Sequence, residues 1–486
     1  MSLGAVALGP IALGAVALGP VALGAVALGA VVLGGGTAHA APPAPDAAWR
    51  YTVTAGEGAR ELRVEATIAA GYSEEFSVDD GAEPFVHDVA VDAGAGWRTV
   101  AAKNDSWFAP ECVRGCKLRY RFELARAADA LGSESGERLG ATTQAPPSTW
   151  LLHPLHASPG RDYRFRVVTP PGLVFATGVH RAGGDEYGAD VTELKDAPYS
   201  AFGPLSVETI HAGGATLELA FLPAPNRAIA HAPIVKALAR AADVVSRYFH
   251  RFPVARALVL VIPTGGDDLH GRTIGGGGST LMLFVGAELT PEALMRSWVP
   301  AHELTHLAFP TVPRQQLWIA EGLATYLEPI ERVRAGDLSA EKVWRDLVDG
   351  LPNGEPEAGD RGLDHTPTWG RIYWGGALYC LVADLEIRER THNRRSLDDA
   401  VRAIVAAGGT LETMWPLSRA LAVGDAAIGV PVLTELYRKM GQAPMPVDLD
   451  ATWRRLGIKL EPGKGRIVFD DAAPLAAVRR AITVGP

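Results

Sequence analysis

The chain has 486 residues, of which 48% are hydrophobic and 21% are charged, and it contains 11 Trp, 11 Tyr and 13 Phe. This composition excludes a wholly disordered protein, because the apolar and aromatic side chains are sufficient to form buried cores. A formal net charge of −9 without a basic run excludes a nucleic acid as the partner, since phosphate contacts need clustered Lys and Arg. At about 100–200 residues per domain, the length allows two or three domains.

The first 40 residues differ in composition from the rest of the chain. Residues 1–36 carry no charged side chain and repeat a block close to GAVALGP, residues 37–40 (TAHA) have the small residues of a cleavage site, and residues 41–48 form a Pro/Ala linker. This order is typical of an export signal over 1–40, so we expect a periplasmic or extracellular protein. The alternatives are an uncleaved leader that anchors the chain in a membrane and a disordered tail.

The chain after the leader changes its hydrophobic period once. Residues 49–224 contain short alternating segments bounded by Gly, Pro, Asp or Asn, such as Leu62–Ile68, which predict a β-rich, sandwich-like N-terminal domain. From 226–252 the apolar residues recur at helical spacing, 258–263 and 279–285 predict buried strands, and most of the chain beyond Thr290 has helical patterns. We therefore expect an α+β multidomain protein with a second domain over 225–440 and a C-terminal tail segment over 441–486.

The cysteines are few. Cys112 and Cys116 lie four residues apart, close enough for a small disulfide loop, which is the expected state of such a pair in an exported protein. Cys380 lies in an apolar run and is expected to be a buried free thiol.

His302-Glu303-Leu304-Thr305-His306 is an HExxH motif. On a helix, residues four apart share a face, so the two imidazoles can bind one metal ion while Glu303 reaches the attacking water. The flanks predict a helix, with Thr290 as a cap, but Pro300 requires a fresh helix start near 297–299 or a kink. A solvated helix face carrying two incidental histidines is the alternative interpretation of the motif alone.

Glu321 supplies a third candidate ligand. Catalytic zinc takes three protein ligands and leaves one position open, and two His with one Glu is a recurring set. The segment 318–326 (WIAEGLATY) predicts a second helix that ends at Pro329, and Pro310 and Pro313 predict the turn before it. This helix can fold back and direct Glu321 towards the two histidines.

HELTH followed by WIAEGLATY resembles the gluzincin metallopeptidases, and the segment 371–378 (RIYWGGAL) resembles that of the glycyl aminopeptidase and aminopeptidase N families. The resemblance covers roughly residues 49–440. It implies a thermolysin-like catalytic domain with a small sheet and a helical C-terminal part, one Zn²⁺ per chain held by His302, His306 and Glu321, Glu303 as general base, and Tyr373 as the hydrogen-bond donor to the tetrahedral intermediate. A core aromatic is the alternative for Tyr373.

The chain departs from these families where they carry a Glu that grips the amino terminus of the substrate. Here the residues are glycines followed by Ser279, so endopeptidase and aminopeptidase-like action both remain open. We expect Gly277, Gly278 and Ser279 to contact substrate, beside a strand over 279–285 that pairs with an extended peptide. The predicted function is that of an exported zinc-dependent peptidase acting on peptides or proteins. The alternative is an exported peptide-binding protein with the same fold and no turnover.

Overall fold

The computed structural model describes residues 47–132, 135–224, 226–461 and 466–485. The predicted export signal over 1–40 and most of the predicted linker lie outside the described residues. None of the helices in the described part of the chain combines the length and the apolar character that a membrane span requires.

The N-terminal part consists of β-sheets that share one core. The largest sheet has the strand order β14-β15-β12-β1-β2-β8-β4-β5, and two smaller sheets have the orders β13-β16-β10-β9 and β11-β3-β7-β6. Strand β2 alternates strictly between buried and exposed side chains, as a strand with one face on a core must. The elements are β1 Trp49–Ala55, β2 Leu62–Ile68, β3 Glu75–Ser77, β4 Val86–Asp92, β5 Arg98–Thr99, β6 Ala102–Lys103, β7 Ser106–Phe108, β8 Cys116–Phe122, α1 Leu124–Leu131, β9 Glu137–Leu139, β10 Thr142–Ala145, α2 Pro147–Trp150, β11 His153–Pro154, β12 Asp162–Val168, β13 Val174–Thr177, β14 Arg181–Gly183, β15 Glu186–Asp190 and β16 Ser200–Gly203.

The second part of the chain has a small sheet followed by helices. The sheet has the order β17-β18-β19-β21-β20, in which β18, β19 and β21 are parallel and β20 is antiparallel to β21. The elements are β17 Ser206–Ala212, β18 Ala215–Phe221, α3 His231–Phe249, β19 Arg256–Thr264, β20 Leu269–Gly275, β21 Ser279–Gly286, α4 Pro291–Arg296, α5 Val299–Thr305, α6 Leu317–Arg334, α7 Ala340–Gly350, α8 Gly376–Arg390, α9 Leu397–Ala406, α10 Leu417–Ile428, α11 Val432–Met440, α12 Leu449–Leu456, β22 Ile458–Glu461, β23 Arg466–Phe469 and α13 Ala476–Val484. The predicted α+β class, with strands before helices, is confirmed.

The boundaries between the two parts differ from those expected. Strands β17 and β18 belong to the second sheet, and Leu217 and Leu219 lie in the same core as α3 and β19, so the architecture changes before Ser206 rather than at residue 225. At the other end, Ile482 is fully buried in this core and its carbonyl accepts hydrogen bonds from Arg334. The described residues after 441 are therefore packed into the helical part, with Trp453, Leu456, Ile467 and Val478 in the same core. An alternating pattern predicts a strand but not the sheet in which it pairs.

The cysteines have the expected states. Cys112 and Cys116 form a disulfide beside β8, and Cys380 is a buried free thiol in α8.

Candidate active site

Helix α5 carries the HExxH motif and begins after a break in the chain. Helix α4 is capped by the Thr290 hydroxyl, which accepts from the Ala293 N–H, and it ends at Ser297 in extended conformation. The fresh start at Val299 puts Pro300 in the first turn of α5, where the backbone N–H that proline lacks has no helical partner in any case. All residues of α5, including His302 and Glu303, are buried.

Helix α6 carries Glu321 in its first turns. The helix continues through Pro329 to Arg334, so the expected end at Pro329 is wrong; packing on both sides of this buried turn outweighs the local cost of the proline. Gly322 lies against Gly376 of α8, where a Cβ on Gly322 would come within 2.2 Å of the Gly376 backbone. This close crossing brings Glu321 and the turn before α8, which contains Tyr373, to the same place.

The three predicted metal ligands converge. Glu321 Oε2 lies 3.4 Å from His302 Nε2 and 3.5 Å from His306 Nε2, and one ligand atom of each residue lies within 4.8 Å of the others. The two imidazole rings are nearly perpendicular, at 89°. Tetrahedral ligation with bonds of about 2.0–2.1 Å separates ligand atoms by about 3.3 Å, so the two observed spacings suit a single ion of that kind.

The charges of these residues are strongly coupled. Burial disfavours the imidazolium of His306, but the Glu321 carboxylate outweighs it and raises the pKa of His306 to about 9. Burial likewise disfavours the Glu321 carboxylate, yet His306 and His302 together hold the pKa of Glu321 well below its usual range. The carboxylate is thus ionised and lies near two imidazole nitrogens, and a cation bound there would displace the proton that the raised pKa keeps on His306.

Glu303 is held from the sheet side. The Thr273 hydroxyl of β20 is 2.7 Å from Glu303 Oε2 and 3.1 Å from the Glu303 carbonyl oxygen. Gly271, two residues earlier on β20, lies against the Glu303 side chain, where a Cβ would come within 2.5 Å of Glu303 Cγ. Glycine is therefore required at this position for the carboxylate to keep its place.

Tyr373 lies beside the predicted ligands. Its ring is 6.5 Å from that of His302 and stacked on it at 23°. Burial, followed by the charges of Glu321 and Glu303, raises the pKa of Tyr373 well above its ordinary value, so the phenol keeps its proton. The geometry thus places one protonated donor beside the ligands and the carboxylate of Glu303.

The predicted substrate contacts Gly277, Gly278 and Ser279 are not at an open surface. All three are buried: the Gly277 N–H donates to the Glu412 carbonyl, the Gly277 carbonyl accepts from the His180 N–H, and the Ser279 N–H donates to the Gly178 carbonyl. The glycines form the turn between β20 and β21 and pack against the N-terminal part. The three residues are buried and the backbone groups named above are already paired within the protein, so the prediction that they contact substrate is wrong.

The strand that borders the site was missed by sequence reasoning. In the described residues β20 pairs with β21 only and ends the sheet, whereas β21 is paired on both sides. The residues of β20 (LHGRTIG) do not alternate between apolar and polar, which hides the strand. The usable signal was the glycine run after it, since two strands flanking a short glycine segment predict a hairpin.

Comparisons with known proteins support this architecture. No protein-family model and no curated protein matches the chain. An aminopeptidase N family protein from Idiomarina loihiensis is similar in structure, with a TM-score of 0.62 and 14% identity, over 84% of this chain and 78% of that one. A mutant of an M1 zinc metallopeptidase from Deinococcus radiodurans, bound to the substrate Tyr-Ser-Ala, has a TM-score of 0.53 and 16% identity, over 82% and 94% of the two chains.

The chain therefore has the fold of the aminopeptidase N-like gluzincins, and the predicted resemblance in fold is confirmed. At these identities the likeness concerns the fold alone.

Proposed function

We propose that the chain is a zinc-dependent peptidase that hydrolyses peptide bonds with water, with Glu303 as general base. The observation that carries the proposal is the convergence of three possible ligand atoms from His302, His306 and Glu321. Beside them lie the Glu303 carboxylate, which is not one of the ligands, and the protonated Tyr373 phenol. Two imidazoles with one carboxylate form a donor set typical of catalytic zinc, which retains an open coordination position. Zinc, when bound, would polarise the scissile carbonyl and make the attacking water more acidic.

Glu303 and Tyr373 have separate roles in this proposal. The Glu303 carboxylate accepts the proton of the attacking water and passes it to the nitrogen of the leaving amine. The Thr273 hydroxyl donates a hydrogen bond to Glu303 Oε2 and holds the carboxylate in position. The Tyr373 phenol donates a hydrogen bond to the oxygen that becomes negatively charged during the attack.

The edge of β20 is where an extended peptide would pair. A peptide added to an edge strand is aligned by backbone hydrogen bonds, and β20 carries Gly271 and Thr273 beside Glu303. A peptide on this edge would pass the carboxylate directly. This replaces the earlier expectation that the strand over 279–285 binds substrate.

We also propose that the protein is exported. The apolar leader over 1–40 and the Cys112–Cys116 disulfide both suit an oxidising compartment. Expression of the full chain in a bacterial host, followed by amino-terminal sequencing of the product outside the cytoplasm, should give a chain beginning after Ala40. A full-length product confined to the cytoplasm would contradict export.

The decisive experiment for peptidase activity is digestion of a mixed peptide library by the purified protein, with cleavage products identified by mass spectrometry. We expect cleavage that stops when a chelator removes the metal and returns when Zn²⁺ is added. Glu303→Gln is the matched control, because it removes the base and keeps all three ligands. Absence of cleavage by the zinc-loaded wild-type protein, or equal cleavage by Glu303→Gln, would contradict the proposal.

A further inference from the structure

Three exposed apolar side chains each precede a residue of the candidate site by four positions. Their exposed fractions are 43% for Trp298, 43% for Leu317 and 54% for Trp369. The pairs four apart are Trp298 and His302, Leu317 and Glu321, and Trp369 and Tyr373.

Each pair lies on helical backbone. Trp298 has helical φ and ψ directly before α5, Leu317 is the first residue of α6, and Trp369 has helical φ and ψ directly before the π-helix Gly370–Gly375. Residues four apart on a helix share a face and are neighbours on its surface. The three side chains therefore lie about one turn from the metal ligands and the phenol, on the same faces.

Ring contacts join the two tryptophans to the site. The Trp298 ring is 4.9 Å from the His302 ring, edge to face at 87°, and the Trp369 ring is 6.2 Å from the Tyr373 ring. Because His302 and Tyr373 also stack on each other, the rings form one series with an exposed indole at either end.

These exposed indoles differ from the other exposed tryptophan of the described residues. Trp97, 42% exposed, has the Arg119 guanidinium over its ring at 4.3 Å. Trp298 and Trp369 instead contact rings of the site itself. Single exposed apolar residues need no explanation, but three at the same helical spacing from residues of one site indicate a surface that an apolar ligand covers.

We propose that Trp298, Leu317 and Trp369, here called the apolar rim, bind an aromatic or large aliphatic side chain next to the scissile bond. The inference rests on the proposed peptidase function and names its substrate class: peptides with such a residue beside the cleaved bond. Because the Trp298 and Trp369 rings contact the rings of His302 and Tyr373, a group that packs on these indoles lies next to the site, and the occupant we propose is part of the substrate itself. Tryptophan suits this role because it offers a large rigid apolar surface.

The test uses a matched series of peptides that differ only in one residue beside the cleaved bond, set to Phe, Leu, Ala or Asp on each side in turn. We expect the wild-type protein to cleave the best Phe or Leu peptide with a kcat/KM about 10-fold or more above that of the Ala peptide. Trp298→Ala and Trp369→Ala should each reduce this ratio, and Trp298→Phe and Trp369→Phe should retain more of it. Trp97→Ala, a change at an exposed indole of the N-terminal part, should leave the ratio and the activity unchanged.

A binding measurement separates this inference from the proposed function. In the Glu303→Gln protein, titration with a peptide carrying Phe on both sides of the bond should change the tryptophan fluorescence. The change should be lost when Trp298→Phe and Trp369→Phe are added and kept when Trp97→Phe is added.

The outcomes are distinguishable. Cleavage with a ratio that the Trp298 and Trp369 variants do not alter, or with a preference for the Asp or Ala peptide, would overturn the apolar rim and leave the peptidase function intact. No cleavage of any peptide would contradict the proposed function, and the fluorescence titration would still decide whether the apolar rim binds apolar peptides.

Discussion

Replacing Tyr373 with phenylalanine removes one hydroxyl group and leaves the ring. The ring contacts with His302, at 6.5 Å, and with Trp369, at 6.2 Å, survive the change, so the packing around the ligands should be preserved. What is lost is a donor whose pKa is raised well above its usual value, first by burial and then by two carboxylates, so that it stays protonated throughout the neutral pH range.

The expected loss is that of a single donor to the oxyanion. Removing one such donor lowers kcat by about 10²–10³-fold, equivalent to roughly 2.7–4 kcal/mol in the activation free energy. The donor acts on charge that develops only as water attacks, so KM should change much less than kcat. Zinc content should equal that of the wild-type protein, because His302, His306 and Glu321 are unchanged.

The assay is steady-state hydrolysis of a peptide that the wild-type protein cleaves, with zinc measured by elemental analysis of the same samples. Tyr187→Phe is the matched control, because it makes the same chemical change in β15 of the N-terminal part. A wild-type kcat for Tyr373→Phe would show that Tyr373 is a packing residue and would refute its assigned role. A loss of zinc in this variant would mean that the phenol supports the ligands instead.

Three further predictions concern the metal, the substrate and stability. Glu321→Ala should bind zinc much more weakly than Glu303→Gln, because only Glu321 belongs to the proposed ligand set; a full zinc complement in Glu321→Ala would refute that set. Peptides with blocked amino termini should be cleaved about as fast as free ones, because Leu269–Gly275 carries no acidic side chain to bind an α-amino group, and a strict need for a free amino terminus would contradict this. Glu331 is buried, and burial raises its pKa to about 8. A raised carboxyl pKa stabilises the fold below about pH 4.5, and this contribution, roughly 4–5 kcal/mol, is lost as the pH rises through about 8. Glu331→Gln should therefore show a free energy of unfolding, measured by urea denaturation, that falls less between pH 5 and 9 than in the wild-type protein, and equal slopes would refute the assignment.

The placement of the HExxH residues could be predicted from the sequence because it depends on short spacings. His302 and His306 share a helix face at four residues apart, and the prolines at 310 and 313 predict the turn that lets a second helix return. Pro300 predicted either a fresh helix start near 297–299 or a kink, and the structure has the fresh start at Val299. The shared helix face, the turn and the helix start are each set by residues close together in the chain, so the local sequence determines them.

The strand next to the site could not be predicted in the same way. Which strand ends a sheet depends on pairing between distant segments, and the apolar character of 279–285 is equally compatible with a central strand. The glycines at 277 and 278 permit a close approach of other backbone. The sequence alone does not determine whether the approaching backbone is that of a substrate or that of the N-terminal part. In the structure it is that of the N-terminal part.

The sequence by itself therefore determined that His302, Glu303 and His306 lie together on one helix, because local helix geometry brings residues four apart to the same face, whereas the role expected of Tyr373 came from the family resemblance. Tertiary structure alone decided that β20 and not β21 borders the site, that β17 and β18 belong to the second sheet, and that Gly322 and Gly376 let two helices approach closely. The physical reason is that these features are set by hydrogen-bond pairing and close packing between residues far apart in the chain, where many arrangements satisfy the same local pattern and only the complete core selects one.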